Sequence, residues 1–243
     1  MICLFDLSAS FWRNFYATMS GTSAFELTVE KIAWYRDEYK TVAVCLDARS
    51  MRKDWYPEYK ANRGEKPREA LGALRAVEEQ VQDWGTPALR CEGYEADDII
   101  ATLAEQSWLD ETRIVSDDKD LYQLITDNVK LMTKRGETGI FGCVEKFGVL
   151  PEQMRDWLAL VGDTADNIPG CPSCGPGRAR DLLKRFGTLD AIREATDEEL
   201  LSVRGVGEKT LESIRTWDPS LAVRLVTLMT NAPVKLEDLW QKV

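Results

Sequence analysis

The sequence predicts an α/β protein, a mainly parallel central sheet flanked by helices, followed by a small helical module. Three observations carry this. Short apolar runs of strand character alternate with stretches of helical period through the first two thirds of the chain, a pattern that argues for a mainly parallel sheet. Acidic residues close three of those runs, and ligands gather beyond the carboxyl ends of parallel strands. From about residue 162 the texture changes to glycine-punctuated short helices with no strand-like run after them.

In order, "ICLFDL" at 2–7 reads as a strand ending on Asp6, and residues 26–39 follow with helical period. "VAVCLD" at 42–47 is a second strand, closed by Asp47, and 67–84 a second helix. The stretch "GYEADD" at 93–98 runs into the apolar "IIATLA", so a helix is expected over 95–107. Acids on its first turn sit favourably against the positive end of the helix dipole. "TRIVSDD" at 112–118 and "VKLMTK" at 129–134 are further strands, and 152–161 a further helix. The sequence places the boundary near 161, giving an α/β part over 1–161 and a helical part over 162–243.

Composition removes several classes. With 243 residues and 44% hydrophobic content the chain can bury a substantial core. No apolar run of membrane-spanning length exists, and the start "MICLFDLSASFWRN" lacks the pattern of a secretory leader, so a cytoplasmic protein with no membrane partner is expected. The six cysteines imply no disulfide framework. Only "CPSC" at 171–174 has metal or redox spacing, and zinc would want further Cys or His ligands in a chain without histidine; a plain loop is the first reading, with a dithiol behind it. The missing histidine also excludes Ser-His-Asp and Cys-His chemistry, so a hydrolase here would rest on carboxylates, metals, Lys or Tyr.

Nine carboxylates fall at strand ends or turns: Asp6, Asp47, Glu95, Asp97, Asp98, Asp118, Asp120, Asp163 and Asp166. Like charges gathered at one sheet edge repel strongly, and such a group persists only when protons or divalent cations neutralise it. Hard oxygen donors suit Mg²⁺ or Mn²⁺, and two such ions make a site for phosphodiester cleavage that needs no histidine. Each acid alone is as well explained as a cap or a solvated face; it is the set that argues for a site.

The net charge of −10 argues against a nucleic-acid partner unless the bases are segregated. They are gathered in "RSMRKDWYPEYKANRGEKPR" at 49–68, where Arg and Lys outnumber acids and Trp55, Tyr56 and Tyr59 are interleaved, as suits a single strand. A solvated loop with inward-packed aromatics explains the same composition. Further on, "VRGVGEKT" at 203–210 presents a glycine turn before a helix, able to offer backbone N–H groups to a phosphate or to serve as a tight turn.

With these residues in hand, the chain resembles the 5′-nuclease family: flap endonucleases, the 5′-nuclease domain of bacterial DNA polymerase I, and free-standing 5′→3′ exonucleases. The most specific pieces are "GYEADDIIATLA", "SDDKDLYQL", "PEYKANR" and "GDTADNIPG", in the family's order. The resemblance implies a PIN-like core with a helical arch at about 50–85 and a helix-two-turn-helix element at 168–186 that grips duplex. It implies that Asp6, Asp47, Glu95 and Asp97 hold one metal ion and Asp118, Asp120 and Asp163 another. Asp98 and Asp166 would act through water or from behind the direct ligands. Lys60 and Arg63 would steer the scissile phosphate, with Arg52 beside them and Tyr59 facing the terminal base.

Departures are visible at Leu7, where the family has a small glycine, and in "CPSCGPGRAR", where Ser173 replaces a glycine, Gly177 a lysine and Arg178 a Ser or Thr. They put in doubt a potassium ion that relatives hold there, and shift expected duplex contacts to Arg178, Arg180, Lys184, Gly205, Gly207 and Lys209. The expectation is a monomeric, Mg²⁺- or Mn²⁺-dependent nuclease of a bacterial or phage-infected cell, without a small-molecule cofactor. It would act on DNA with a 5′ end, flap or single-strand/duplex junction. A PIN-type ribonuclease and a non-catalytic DNA-binding module are the alternatives.

Overall fold

The computed structural model describes residues 1–107 and 109–239. Along the chain run β1 (Ile2–Asp6), α1 (Leu7–Thr18), α2 (Gly21–Glu38), β2 (Thr41–Leu46), α3 (Arg52–Trp55) and α4 (Arg68–Asp83). Next come β3 (Ala88–Arg90), α5 (Ala96–Gln106), β4 (Thr112–Val115), β5 (Val129–Thr133) and β6 (Gly136–Thr138). The remainder is helical: α6 (Ile140–Phe147), α7 (Met154–Val161), α8 (Pro176–Phe186), α9 (Leu189–Glu194), α10 (Asp197–Leu201), α11 (Glu208–Thr216) and α12 (Ser220–Val226).

The contacts divide the chain into two compact units, one of Met1–Met51, Gly64–Gly139 and the segment from Leu228, the other of Arg52–Arg63 and Ile140–Thr227. The division expected near 161 is thus drawn differently. α6 and α7 precede it yet belong with the helices, and α7 packs on α8 and α12 through its buried Trp157, Leu158 and Leu160.

In the first unit the strand order is β3-β2-β1-β4-β5-β6, parallel throughout except for β6. β1, β2 and β4 are buried at every position, as strands covered on both faces are, and the buried Arg113 of β4 is paired with Glu137 at 2.6 Å. One face carries α1, α2 and α4, which close over Phe5, Val44 and Leu46 with Phe11, Phe15, Ile32, Val77 and Val81. Residue alternation turns Leu4, Ala43 and Cys45 to the other face, and α5 packs against β1 and β2.

Two of the expectations change here. The arch anticipated at about 50–85 is not one element: α4 is a packed helix of the first unit with Ala70, Val77 and Val81 in the core, and only 52–63 joins the second unit. The C-terminal segment does not stay with the helical module but returns along α5. Asp98, Thr102 and Gln106 lie four apart on one stripe of that helix and take the N–H groups of Met229, Ala232 and Leu236 at 2.9, 3.1 and 2.7 Å.

Candidate active site

The chain leaves β1 at Asp6 and diverges, to β2 on one side and β4 on the other, so the carboxyl edge at β1 and β4 is a topological switch point. Asp6 ends the strand and caps α1, accepting the Ala9 N–H at 3.0 Å through Oδ1. Its Oδ2 accepts the Ser116 hydroxyl at 2.8 Å, and that same oxygen of Ser116 accepts the Asp118 N–H at 3.0 Å. Asp118 in turn takes the Asp120 N–H at 2.9 Å, and Asp47, one residue beyond β2, takes the Ala96 N–H at 3.0 Å. The ends of β1 and β4 are thereby joined through the Ser116 hydroxyl, and the end of β2 is joined to the start of α5 through the Ala96 N–H.

The electrostatics follow. Burial, then the charge of Asp47, pushes the Asp6 carboxyl up to about 7 against the two hydrogen bonds, and Asp118 pushes it further. The Cys45 thiol is held well above its usual range by burial first and by Asp6 next, with Asp97 also acting on it. Asp6, Asp47, Asp97 and Asp118 therefore feel, or act on, one neighbourhood. Among the described residues, no three His, Cys, Asp or Glu side chains converge closely enough to hold an ion as they stand. Each of Asp6, Asp47 and Asp118 is instead drawn toward its own donor, the arrangement that mutual repulsion favours. The donor set itself, hard oxygens without a nitrogen or exposed thiolate, fits Mg²⁺ or Mn²⁺.

Asp98 is turned away from this chemistry. It is fully buried, accepts the Glu95 N–H at 3.0 Å as the reciprocal arm of a helix cap, and accepts the Met229 N–H at 2.9 Å through its other oxygen. A carboxylate so engaged ties the returning segment to α5, which argues against the water-mediated contact expected of it and is compatible with the other expectation, a place behind the direct ligands. Sequence reasoning passed over Ser116 and Asp117. Asp117 is ion-paired with Arg13 of α1 and accepts the Lys134 N–H at 2.8 Å. A signal existed, since both residues follow a buried strand directly.

In the second unit, "GDTADNIPG" forms a closed loop, with Asp163 and Ile168 exchanging backbone hydrogen bonds at 2.9 and 2.7 Å. Its bracketing glycines are required: Gly162 has φ +72°, and a Cβ there would lie 2.4 Å from the Gly170 nitrogen. Asp163 Oδ1 accepts the Ala165 N–H at 2.7 Å and the Asp166 N–H at 3.3 Å. Asp166 is buried and faces the basic segment, with Arg63 Nη2 at 2.5 Å and Nε at 3.1 Å from Oδ1 and Lys60 Nζ at 3.9 Å from Oδ2. Burial raises the Asp166 carboxyl although both cations oppose it. The Lys60 backbone, at φ +58°, donates its N–H to the Asp166 carbonyl at 2.9 Å. Asp166 is thus the anchor of the two cations rather than a carboxylate turned to a metal.

Two residues expected on the nucleic acid lie inside. Arg52 is 2% exposed and donates from Nε to the Leu225 carbonyl at 3.0 Å and from Nη2 to the Thr227 carbonyl at 2.9 Å, closing the C-terminus of α12. Tyr59 is 4% exposed and keeps no open face for a base. By contrast Arg178 and Gly205 are exposed and, with the half-buried Arg180, line a shallow cleft of about 450 Å³ at the start of α8, which Arg204 also lines. Arg178 donates to the Ser173 carbonyl at 2.5 Å and the Gly205 carbonyl at 2.6 Å, joining the two glycine turns. Lys184, Gly207 and Lys209 are exposed on the same unit.

A parallel sheet edged with carboxylates, and a separate helical unit presenting arginines at a glycine turn, are the two parts of a nuclease fold. Residues 1–148 match the profile of the 5′-3′ exonuclease N-terminal resolvase-like domain, and 149–242 that of the 5′-3′ exonuclease C-terminal SAM fold. The chain belongs to the 5′-3′ exonuclease family. It is 39% identical over 203 residues to DNA polymerase I of Rhizobium leguminosarum, covering 81% of this chain and 20% of that protein. It is 32% identical over 208 residues to the 5′-3′ exonuclease of Aquifex aeolicus, covering 84% of this chain and 69% of that one. The chain spans a fifth to rather more than a quarter of the polymerase I relatives, 20% to 28% of their length.

The fold is that of the T5 D15 protein co-crystallised with metal ions, with a TM-score of 0.79 at 23% identity over 94% of this chain and 90% of that one. A T5 D15 flap endonuclease complex with DNA and metal ions matches with a TM-score of 0.73 at 21% identity, over 94% and 88% of the two chains. Among the described residues, no helix is long and apolar enough to cross a membrane.

Proposed function

We propose that this chain is a structure-selective 5′-nuclease that hydrolyses DNA near 5′ ends and single-strand/duplex junctions with two divalent ions, Mg²⁺ or Mn²⁺. The observation that carries the proposal is Asp6 at the switch point of the sheet, whose carboxyl is pushed up first by its burial and then by the charges of Asp47 and Asp118. An edge under that strain is relieved by cations. Membership of the 5′-3′ exonuclease family, and the metal ions and DNA named for the T5 structures, support the same reading. Asp6, Asp47, Glu95 and Asp97 would hold one ion, and Asp118, Asp120 and Asp163 the other. Bound ions supply a hydroxide nucleophile at neutral pH and neutralise charge on the phosphate under attack.

The chain's own residues do the rest. Ser116 and the Ala9 and Ala96 N–H groups orient Asp6 and Asp47. Asp166 fixes Lys60 and Arg63, which then offer charge to the scissile phosphate. Arg178, Arg180, Lys184, Lys209 and the Gly205 and Gly207 turn would contact duplex phosphates. Arg178 already takes the carbonyls of Ser173 and Gly205, so a potassium ion has no part in this reading. The enzyme would act as a cytoplasmic monomer with no small-molecule cofactor.

Asp97→Ala and Asp163→Ala are expected to abolish cleavage of a 5′-labelled flap in Mg²⁺ while leaving the fold intact by circular dichroism. Full activity in EDTA would overturn the proposal. RNA flaps cleaved as fast as DNA flaps would favour a ribonuclease.

A further inference from the structure

Cys171 and Cys174 have no part in the chemistry above, yet they are placed as a pair. They are the first and last residues of a four-residue turn closed by the Cys174 N–H donating to the Cys171 carbonyl at 3.0 Å. Pro172 occupies the second position and Ser173, at φ +61°, the third, which is the geometry of a type II turn. A turn of this kind holds its end Cα atoms within about 7 Å, and a disulfide needs about 4.4 to 6.8 Å. The backbone is therefore already bent to the span that an S–S bond requires.

Position adds a second argument. The thiols are 5% and 3% exposed, but they lie directly beneath a surface turn, with Pro172, Gly175, Pro176 and Gly177 all exposed. Cys3, Cys45 and Cys143 have no exposure at all, and Cys91, 7% exposed, has no second cysteine in its own turn. Cys171 Sγ donates to the Pro172 carbonyl at 3.7 Å, and its pairing with Cys174 lowers the Cys171 thiol while raising that of Cys174.

We propose that Cys171 and Cys174 form a reversible dithiol/disulfide site that exchanges with small-molecule disulfides of the glutathione class. The Cys171 thiolate attacks one sulfur of the disulfide, forming a mixed disulfide and releasing one thiolate. Cys174 then attacks the Cys171 sulfur, its proton passing to the thiolate that departs. One small disulfide is reduced to two thiols as the two cysteines are oxidised to a single S–S bond. Ser173 sits between them and its carbonyl holds Arg178, so the site lies under the arginine cleft.

The test is peptide mass mapping of the full, folded chain after glutathione disulfide, with free thiols alkylated, and it is independent of nuclease activity. The expected result is a 171–174 peptide two hydrogens lighter, with neither thiol alkylated, that dithiothreitol restores. Cys174→Ser should instead trap glutathione on Cys171. Two results would overturn the proposal: both thiols alkylated as fully as before treatment in protein whose circular dichroism is native, or a mixed disulfide persisting in the unaltered chain.

Discussion

Replacing Arg52 by Met separates the two roles open to that residue. The side chain is 2% exposed and its guanidinium serves the Leu225 and Thr227 carbonyls at 3.0 and 2.9 Å. Methionine keeps most of the apolar stem and removes the donors, leaving two helix-end carbonyls short of a partner. Hydrogen bonds from a charged group contribute about 1.5 to 3 kcal/mol each, and no longer burying a cation offsets part of their loss. A net destabilisation of about 3 kcal/mol is expected, which for a chain of this size lowers the Tm by roughly 6 to 12 °C. Differential scanning calorimetry would measure it. Binding of a nicked duplex in EDTA, at a temperature where both proteins are folded, should change less than threefold, and the slope of log K against log salt should be unaltered. A Tm within about 2 °C of the parent, with a tenfold loss of affinity and a salt slope smaller by about one, would return Arg52 to the phosphate backbone and refute the structural role.

Other expectations follow from the same geometry. Asp98→Ala leaves the Glu95 and Met229 N–H groups unpaired in a buried place and should cost about 2 to 4 kcal/mol by urea unfolding. Its flap cleavage at 15 °C should stay within a few-fold of the parent, and abolition of cleavage at intact stability would restore Asp98 to the metal site. For Asp6 the folded carboxyl lies at about 7, above its ordinary value of 3.8, so the folded state holds the proton more tightly. Its contribution is favourable at low pH and is lost as the pH rises through about 7, by up to about 4 kcal/mol. In EDTA the Tm should rise between pH 8 and pH 6, and Mg²⁺ or Asp6→Asn should flatten that dependence; an equal slope in all three would contradict it. Exchange of K⁺ for Na⁺ should leave duplex affinity unchanged, whereas Arg178→Ala should weaken it severalfold by fluorescence anisotropy.

What the sequence made legible is what local pattern controls. The buried runs of β1, β2 and β4, the helices α2, α4, α5 and α7, and the glycine-punctuated second part all follow from period and punctuation. β3 and β6 have three residues each, too few for a period, and α1 starts at the residue that ends β1. The return of the C-terminal segment was hidden for a different reason. Asp98, Thr102 and Gln106 form a polar stripe that reads as a solvated face, and the backbone that covers it lies about 130 residues further along the chain.

The basic segment was misjudged in the same way. Its composition is right for phosphate and bases, but composition carries no direction: Arg52 points inward to carbonyls distant in sequence, and Tyr59 is buried as well. The acids were easier because their position does carry direction: a parallel strand must end at the edge where crossovers begin, and a polar residue there, even a buried one such as Asp6, lies where ligands gather. Asp6 shows why such a residue serves several ends at once. It is the last residue of β1, the cap of α1 and a carboxylate that burial and then its neighbours push up. The Ala9 N–H that makes it a cap, together with the Ser116 hydroxyl on its other oxygen, also favours its ionised form beside Asp47 and Asp118, against a burial that favours the proton. An asparagine could cap the helix equally well. What an asparagine could not supply is the second acceptor oxygen, which takes the Ser116 hydroxyl and ties β1 to the end of β4.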